Sequence, residues 1–286
     1  MNKKLISLST ATLVLFLGAC GNTGSDADSS TGAVESSETE EVTEVSVGVV
    51  SEVEIDVWED VKERLAEENI ELTIEQFTDY VQPNVALSDG SLDLNAFQHV
   101  AYLEEFNANN GSDIVPIGFT YVSPLGLYSD SLTDYNDIPE GAEIAIPNDV
   151  TNGGRALLLL QAIDLITLDE AAGTNATVSD ITDNPKNITF TELDASQTAR
   201  ALGDVDAAII NTNYATDSGL NPSEDALFLD TDNIAEVNEI YKNVIATRSE
   251  DAENAAYLKV VEAYQSEETA KKIEEVTEGN DVPAWE

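Results

Sequence analysis

The sequence predicts an α/β protein built from two mostly parallel sheets, and three observations carry that prediction. Short apolar strands alternate with stretches of helical spacing, beginning at "VSVGVV" (45–50). The alternation occurs twice, the second series restarting at "AEIAIPND" (142–149). Two long extended segments, "DIVPIGFTYVSPLGLYS" (113–129, broken at Pro124) and "EIYKNVIATRS" (239–249), join the series, so the chain crosses twice between the sheets.

The elements follow in order. After the first strand, Ile55, Val57, Trp58, Val61 and Leu65 in "EIDVWEDVKERLAEEN" recur at helical spacing. "IELTIEQF" alternates as a strand, "YVQPNVALSDG" is a short helix stopped by Gly90, and "SLDLNAFQ" is a strand again. "VAYLEEFNANNG" is a helix closed by Asn-Asn-Gly. In the second series "AEIAIPND" is a strand and "TNGGRALLLLQAIDLI" a helix with a polar start. "ITFTEL" and "DAAIINT" are strands flanking the helical "SQTARAL", and "ALFLD" is a further short strand. Two amphipathic helices, "DAENAAYLKVVEAYQS" and "ETAKKIEEVTEG", finish the chain. A weak internal echo links "GSLDLN" (90–95) with "GDVDAAIIN" (203–211), each ending a Gly-Asp-strand run on Asn. Ligands in open α/β sheets sit beyond the carboxyl ends of strands, so each lobe is expected to present an Asn to one cleft.

The N-terminus reads as an export signal: basic "MNKK", an apolar run too short to span a bilayer, then "LGAC". A cysteine after Leu-Gly-Ala resembles the bacterial lipobox, which implies that Cys20 is diacylated and heads the mature chain. Residues 21–44 are Ser, Thr, Gly and acid, a composition of a flexible leash rather than a core. The expectation is a soluble, monomeric body held outside the cell membrane by lipid alone.

Several function classes drop out. Cys20 is the sole cysteine, so disulfides, thiol catalysis and cysteine metal sites are not expected once it carries lipid. With 56 acidic and 12 basic residues and a net charge of −44, nucleic acid and anionic membrane surfaces are poor partners. His99 is the only histidine, too few for a histidine-rich metal site, and no EF-hand pattern is present. No Gly-x-Ser-x-Gly elbow or other nucleophile, base and oxyanion set can be assembled, so neither enzyme activity nor a cofactor or metal is expected.

Four segments, "FTDYVQPNVAL", "LNAFQHVAYLEEFN", "AIPNDVTNGGRALLLLQ" and "INTNYA", together resemble the methionine-binding lipoprotein family (NlpA/MetQ-like). Its members are the substrate-binding components of methionine-uptake ABC transporters. The resemblance runs from about Val45 to the "VPAW" terminus. It implies a two-lobed periplasmic-binding-protein fold of type II, a membrane permease and a cytoplasmic ATPase as partners, and L-methionine as ligand. The boundaries expected on that basis are 1–19 for the signal, 20–44 for the linker, 45–125 with 245–286 for lobe 1, and 126–244 for lobe 2. The first strand exit departs from the family: "VVSEVEIDVW" stands where many relatives carry Pro-Gly-Pro-His, which puts that loop's part in the pocket in doubt.

A free amino acid needs partners for its carboxylate, ammonium and side chain. Arg155 is the expected carboxylate partner, placed after Thr151-Asn152-Gly153-Gly154 at a helix start, where free N–H groups and the dipole also favour an anion. The two glycines are expected to let backbone approach the ligand. Asn152 is either a pocket amide or a pure N-cap. Asn213 and Asn243 match family positions that hold the amino-acid end, with Asn211 a weaker candidate. The resemblance puts Tyr80, Phe97, His99 and Tyr102 around the side chain, where aromatic edges suit a thioether. His99 is then pocket wall rather than catalyst. D-methionine, a methionine derivative or a methionine-containing dipeptide are alternative ligands, and an adhesive surface protein on the same scaffold is a more distant alternative.

Overall fold

A computed structural model of the chain describes residues 42–230 and 239–285. The export signal, Cys20 and the linker as far as residue 41 lie outside the described residues.

The first lobe opens with β1 (Thr43–Val49), α1 (Glu52–Ala66), β2 (Ile70–Gln76), α2 (Gln82–Asp89), β3 (Leu94–His99), α3 (Val100–Asn110) and β4 (Ile114–Phe119). The crossing to the second lobe runs through β5 (Tyr121–Val122) and β6 (Leu125–Tyr128). Then come β7 (Glu143–Pro147), α4 (Val150–Ala162), β8 (Thr167–Leu168), β9 (Ile181–Asp183), β10 (Thr189–Leu193) and α5 (Ala195–Thr198). β11 (Ala207–Asn211), α6 (Thr212–Asp217), α7 (Pro222–Asp225) and β12 (Phe228–Leu229) complete that lobe. The chain returns through β13 (Asn243–Arg248), α8 (Ala255–Tyr264), α9 (Glu267–Val276) and β14 (Val282–Pro283).

Two five-stranded sheets result, ordered β2-β1-β3-β13-β4 and β10-β7-β11-β6-β12. In each, four strands share one direction and the crossing strand alone is reversed: β13 pairs antiparallel with β3 and β4, β6 with β11 and β12. The reversal follows from geometry. A chain leaving one sheet at its carboxyl edge crosses the cleft and meets the other sheet at that sheet's carboxyl edge. It must therefore run against the parallel strands. The two crossings lie side by side, with Thr120 N–H donating to Asn243 O at 2.8 Å.

Local chemistry sets the element ends. Ser51 caps α1 in a reciprocal box with Glu54. Gly90 and Gly111 end α2 and α3 in left-handed conformation, φ +81° and +64°. The apolar stripe Val57, Trp58, Val61, Leu65 of α1 enters the lobe 1 core, where Trp58 meets Tyr264 at 4.7 Å. Trp285 of the "VPAW" terminus closes over Tyr264 at 5.7 Å. In lobe 2 the Ala156, Leu157, Leu159, Leu160 face of α4 packs on β6, β7 and β11. A third apolar group, including Phe97, Tyr128, Ile210 and Tyr214, draws on both lobes. The echo between "GSLDLN" and "GDVDAAIIN" ends differently in the two lobes. Asn211 terminates β11, but β3 continues past Asn95 to His99. Asn95 is instead wholly buried, bonded to Asn84 at 2.8 Å and Gln98 at 3.0 Å. It presents nothing to the cleft, because a fully covered central strand spends its polar side chains on one another.

Candidate ligand-binding site

Where the carboxyl ends of both sheets face each other lies a small cavity, with room of about 40 Å³ for the centre of a water-sized sphere. Tyr80, Phe97, His99, Tyr102, Asn152, Arg155, Asn213 and Asn243 all line it. Glu54, Gln98, Tyr121, Ser123, Pro124, Asn211 and Thr212 complete the wall. The first strand exit therefore does reach the cavity, through Glu54.

One end is a cage of rings. Tyr80 lies 5.7 Å from Phe97, 5.8 Å from Tyr102 and 4.9 Å from Tyr214, with Phe97 and Tyr102 edge-on at 6.2 Å. Tyr214 comes from α6 of the second lobe, so the cage is built across the cleft. The Tyr80 hydroxyl donates to Asn213 Oδ1, another bond between lobes, leaving the Asn213 NH₂ group for other partners.

The other end is polar. Arg155 is 5% exposed and turned inward, but it already has a partner. Its Nε donates to Asp230, and Nη2 donates to Asp230 Oδ1 at 3.1 Å and to Ser123 O at 2.9 Å. Asp230 also accepts from Leu125 N–H at 2.8 Å. Nη1 makes no hydrogen bond among the described residues. The Tyr241 ring covers the guanidinium, 4.8 Å from ring centre to Cζ. Nε and Nη2 are thus held in a buried ion pair with Asp230 and a bond to the crossing, and Arg155 lines the cavity.

Three expectations about this corner need correction. Asn152 is not the N-cap of α4: Asp149 is, its carboxylate accepting from Asn152 N–H at 2.8 Å. That carboxylate fills the helix N-terminus, so the anion site expected there is taken by the chain's own side chain. The glycines do not clear a path for ligand. A Cβ on Gly153 would stand 2.8 Å from Pro147 O, and one on Gly154 2.3 Å from Thr174 O. Both let α4 press against neighbouring backbone.

His99 closes β3 and caps α3, its Nδ1 accepting from Tyr102 N–H at 3.1 Å. That assigns the proton to Nε2, which points at Asn152 Oδ1, 3.4 Å away. Burial, aided by the nearby Arg155 charge, lowers its pKa to about 3. The ring is therefore neutral, and it sits edge-on to Tyr241 at 5.6 Å, between cage and polar end. Asn152 is held by Asp149 at 3.1 Å and receives Asn211 Nδ2 at 2.9 Å. Asn211 Oδ1 is buried and lacks a partner among the described residues. The Asn243 side chain, beside His99 on the paired strand, likewise has no hydrogen bond among them.

Glu54, Asp149, Asp230, Tyr214 and Tyr241 were not singled out as site residues from the sequence. "PND" before "TNGG" is a legible N-cap signal for Asp149. Asp230 and Tyr241 carry no local signal, since the crossings alone bring them to Arg155. Among the described residues no cluster of His, Cys, Asp and Glu could hold a metal, and no helix is long and apolar enough to cross a membrane.

Known proteins share this architecture. The D-methionine-binding lipoprotein MetQ of Escherichia coli K12 is 40% identical over 245 residues, covering 84% of this chain and 88% of that protein. A nutrient-binding protein from Burkholderia cenocepacia, solved bound to methionine, superposes with a TM-score of 0.79 at 43% identity, covering 84% of this chain and 99% of that one. The substrate-binding protein of a methionine transporter from Streptococcus pneumoniae gives 0.79 at 41% identity, covering 85% and 96%. The NlpA lipoprotein model matches residues 45–285. Two sheets reversed only at their crossings, a shared cavity between them and identity above a third across the folded body lead to one statement: this chain belongs to the NlpA lipoprotein family.

Proposed function

We propose that this protein captures methionine between its lobes outside the membrane and delivers it to an ABC permease, tethered by lipid on Cys20. The observation that carries this reading is the division of one buried cavity into a ring cage and a polar end. Tyr80, Phe97 and Tyr102 suit a thioether, at about 0.3–1.5 kcal/mol per sulfur–ring contact. Arg155 Nη1 suits the carboxylate, and Asn211 Oδ1 with the Asn243 and Asn213 amides suits the amino-acid backbone. Ligand touching both lobes stabilises their closed arrangement by its differential affinity, which the Tyr80–Asn213 bond already favours.

The test is mass spectrometry of small molecules released from purified, denatured protein, followed by calorimetry with both enantiomers. The name of the Escherichia coli relative favours the D enantiomer as a second reading. Binding of neither enantiomer would overturn the proposal. A separate result is expected at Asn243. Asn243→Ala folds normally, because its side chain makes no hydrogen bond among the described residues, but loses most of the methionine-induced rise in Tm. A full rise in that variant would make the amide structural only.

A further inference from the structure

Glu54 stands in the cavity wall with both carboxylate oxygens fixed and no cation beside it among the described residues. It is the third residue of α1 and 5% exposed. Oε2 accepts from Val50 N–H at 2.8 Å and Ser51 N–H at 3.0 Å. Oε1 accepts from the hydroxyl of Tyr121, which belongs to the crossing strand β5 and also lines the cavity. A carboxylate offers about four acceptor positions, so one remains on Oε1.

The charges of the wall do not balance. Arg155 is its one permanent cation among the described residues, and Asp230 has already paired with it. His99 is neutral, and Asp217, close enough to Glu54 to be felt, adds negative charge. Glu54 is thus a desolvated acid that lacks a counter-ion, and leaving an ion so placed is unfavourable. Burial raises its pKa, the direction that a bound cation would reverse. Asn211 Oδ1, buried in the same wall with no donor among the described residues, is a second acceptor waiting for the same kind of group.

We propose that Glu54 is the counter-ion of the ligand's ammonium group and makes the cavity select ligands carrying a free primary amine. This rests on the reading of the cavity as a methionine site and adds a determinant to it. The amine belongs either to the free amino acid or to the N-terminus of a methionine-containing dipeptide. Both present the same ammonium chemistry.

The experiment is calorimetry with wild type and Glu54→Gln against three ligands: L-methionine, its α-hydroxy acid analogue and glycyl-L-methionine. Glutamine keeps a carbonyl oxygen for Val50 and Ser51 N–H and turns its NH₂ toward the Tyr121 hydroxyl, so the start of α1 stays capped. Wild type is expected to prefer methionine over the hydroxy acid by at least about a hundredfold. In Glu54→Gln the methionine affinity falls at least about tenfold while the hydroxy acid changes by less than about threefold. If glycyl-methionine binds tighter than methionine and suffers the same loss, the ammonium is that of a peptide terminus. Equal weakening of methionine and hydroxy acid, or no weakening, overturns the assignment. Should the variant not fold, a wild-type preference below about tenfold overturns it instead. Failure of wild type to bind methionine, its dipeptide or the hydroxy acid overturns the underlying methionine reading, a result distinct from all of these.

Discussion

Arg155→Ala is expected to weaken methionine binding at least about a hundredfold and to destabilise the ligand-free protein by roughly 3–5 kcal/mol. Both effects come from one side chain with two duties. Toward the cavity, Nη1, which makes no hydrogen bond among the described residues, is the proposed donor to a ligand carboxylate. Toward the protein, Nε and Nη2 neutralise Asp230, whose side chain is only 12% exposed, and tie Ser123 O of the crossing. Removing the guanidinium strands that acid. Adding Asp230→Asn separates the two duties: the amide removes the stranded charge yet still accepts from Leu125 N–H. The double variant is expected to regain most of the stability, measured by urea unfolding, and none of the affinity, measured by calorimetry. Near-wild-type affinity in it would mean that Arg155 is a strut of the crossing and not the carboxylate anchor.

His99→Asn is expected to flatten the acid side of the stability profile. The folded protein holds His99 neutral with a pKa of about 3, whereas the unfolded chain protonates near the ordinary value of 6.5. The unfolded state therefore binds more protons throughout the window between those values, and stability falls as pH drops through it. The slope is about 1.4 kcal/mol per pH unit, so by pH 5 the wild type loses roughly 2 kcal/mol that the variant keeps. Asparagine retains an acceptor for Tyr102 N–H and so preserves the α3 cap. Urea titrations at several pH values check this, and parallel profiles for the two proteins would mean that His99 takes up its proton in the folded state. The same neutrality predicts that His99 contributes no titration to ligand affinity between pH 5 and 8.

Periodicity carried the architecture because each pattern reports its own burial. The Val57, Trp58, Val61, Leu65 stripe of α1 and the run of apolar residues in α4 are read the same way from sequence as from the cores they fill. The eight residues nominated for the site surround one cavity because their segments end at strand–helix junctions, and those junctions collect at the carboxyl edges of both sheets. The functional weight of "TNGG", in contrast, was misplaced. Glycine beside a pocket helix looks like room for a ligand, but here the room is taken by Pro147 and Thr174 carbonyls.

Order of elements and lobe number were thus written in local spacing, where each residue answers to neighbours three or four positions away, while most wall residues were named by the family resemblance. The pairing of Arg155 with Asp230, the contact of His99 with Asn152 and the unbalanced acid at Glu54 were in neither. They depend on residues 53–75 positions apart meeting in one buried space. Only there do desolvation and the count of nearby charges decide which groups are already satisfied and which still await a ligand.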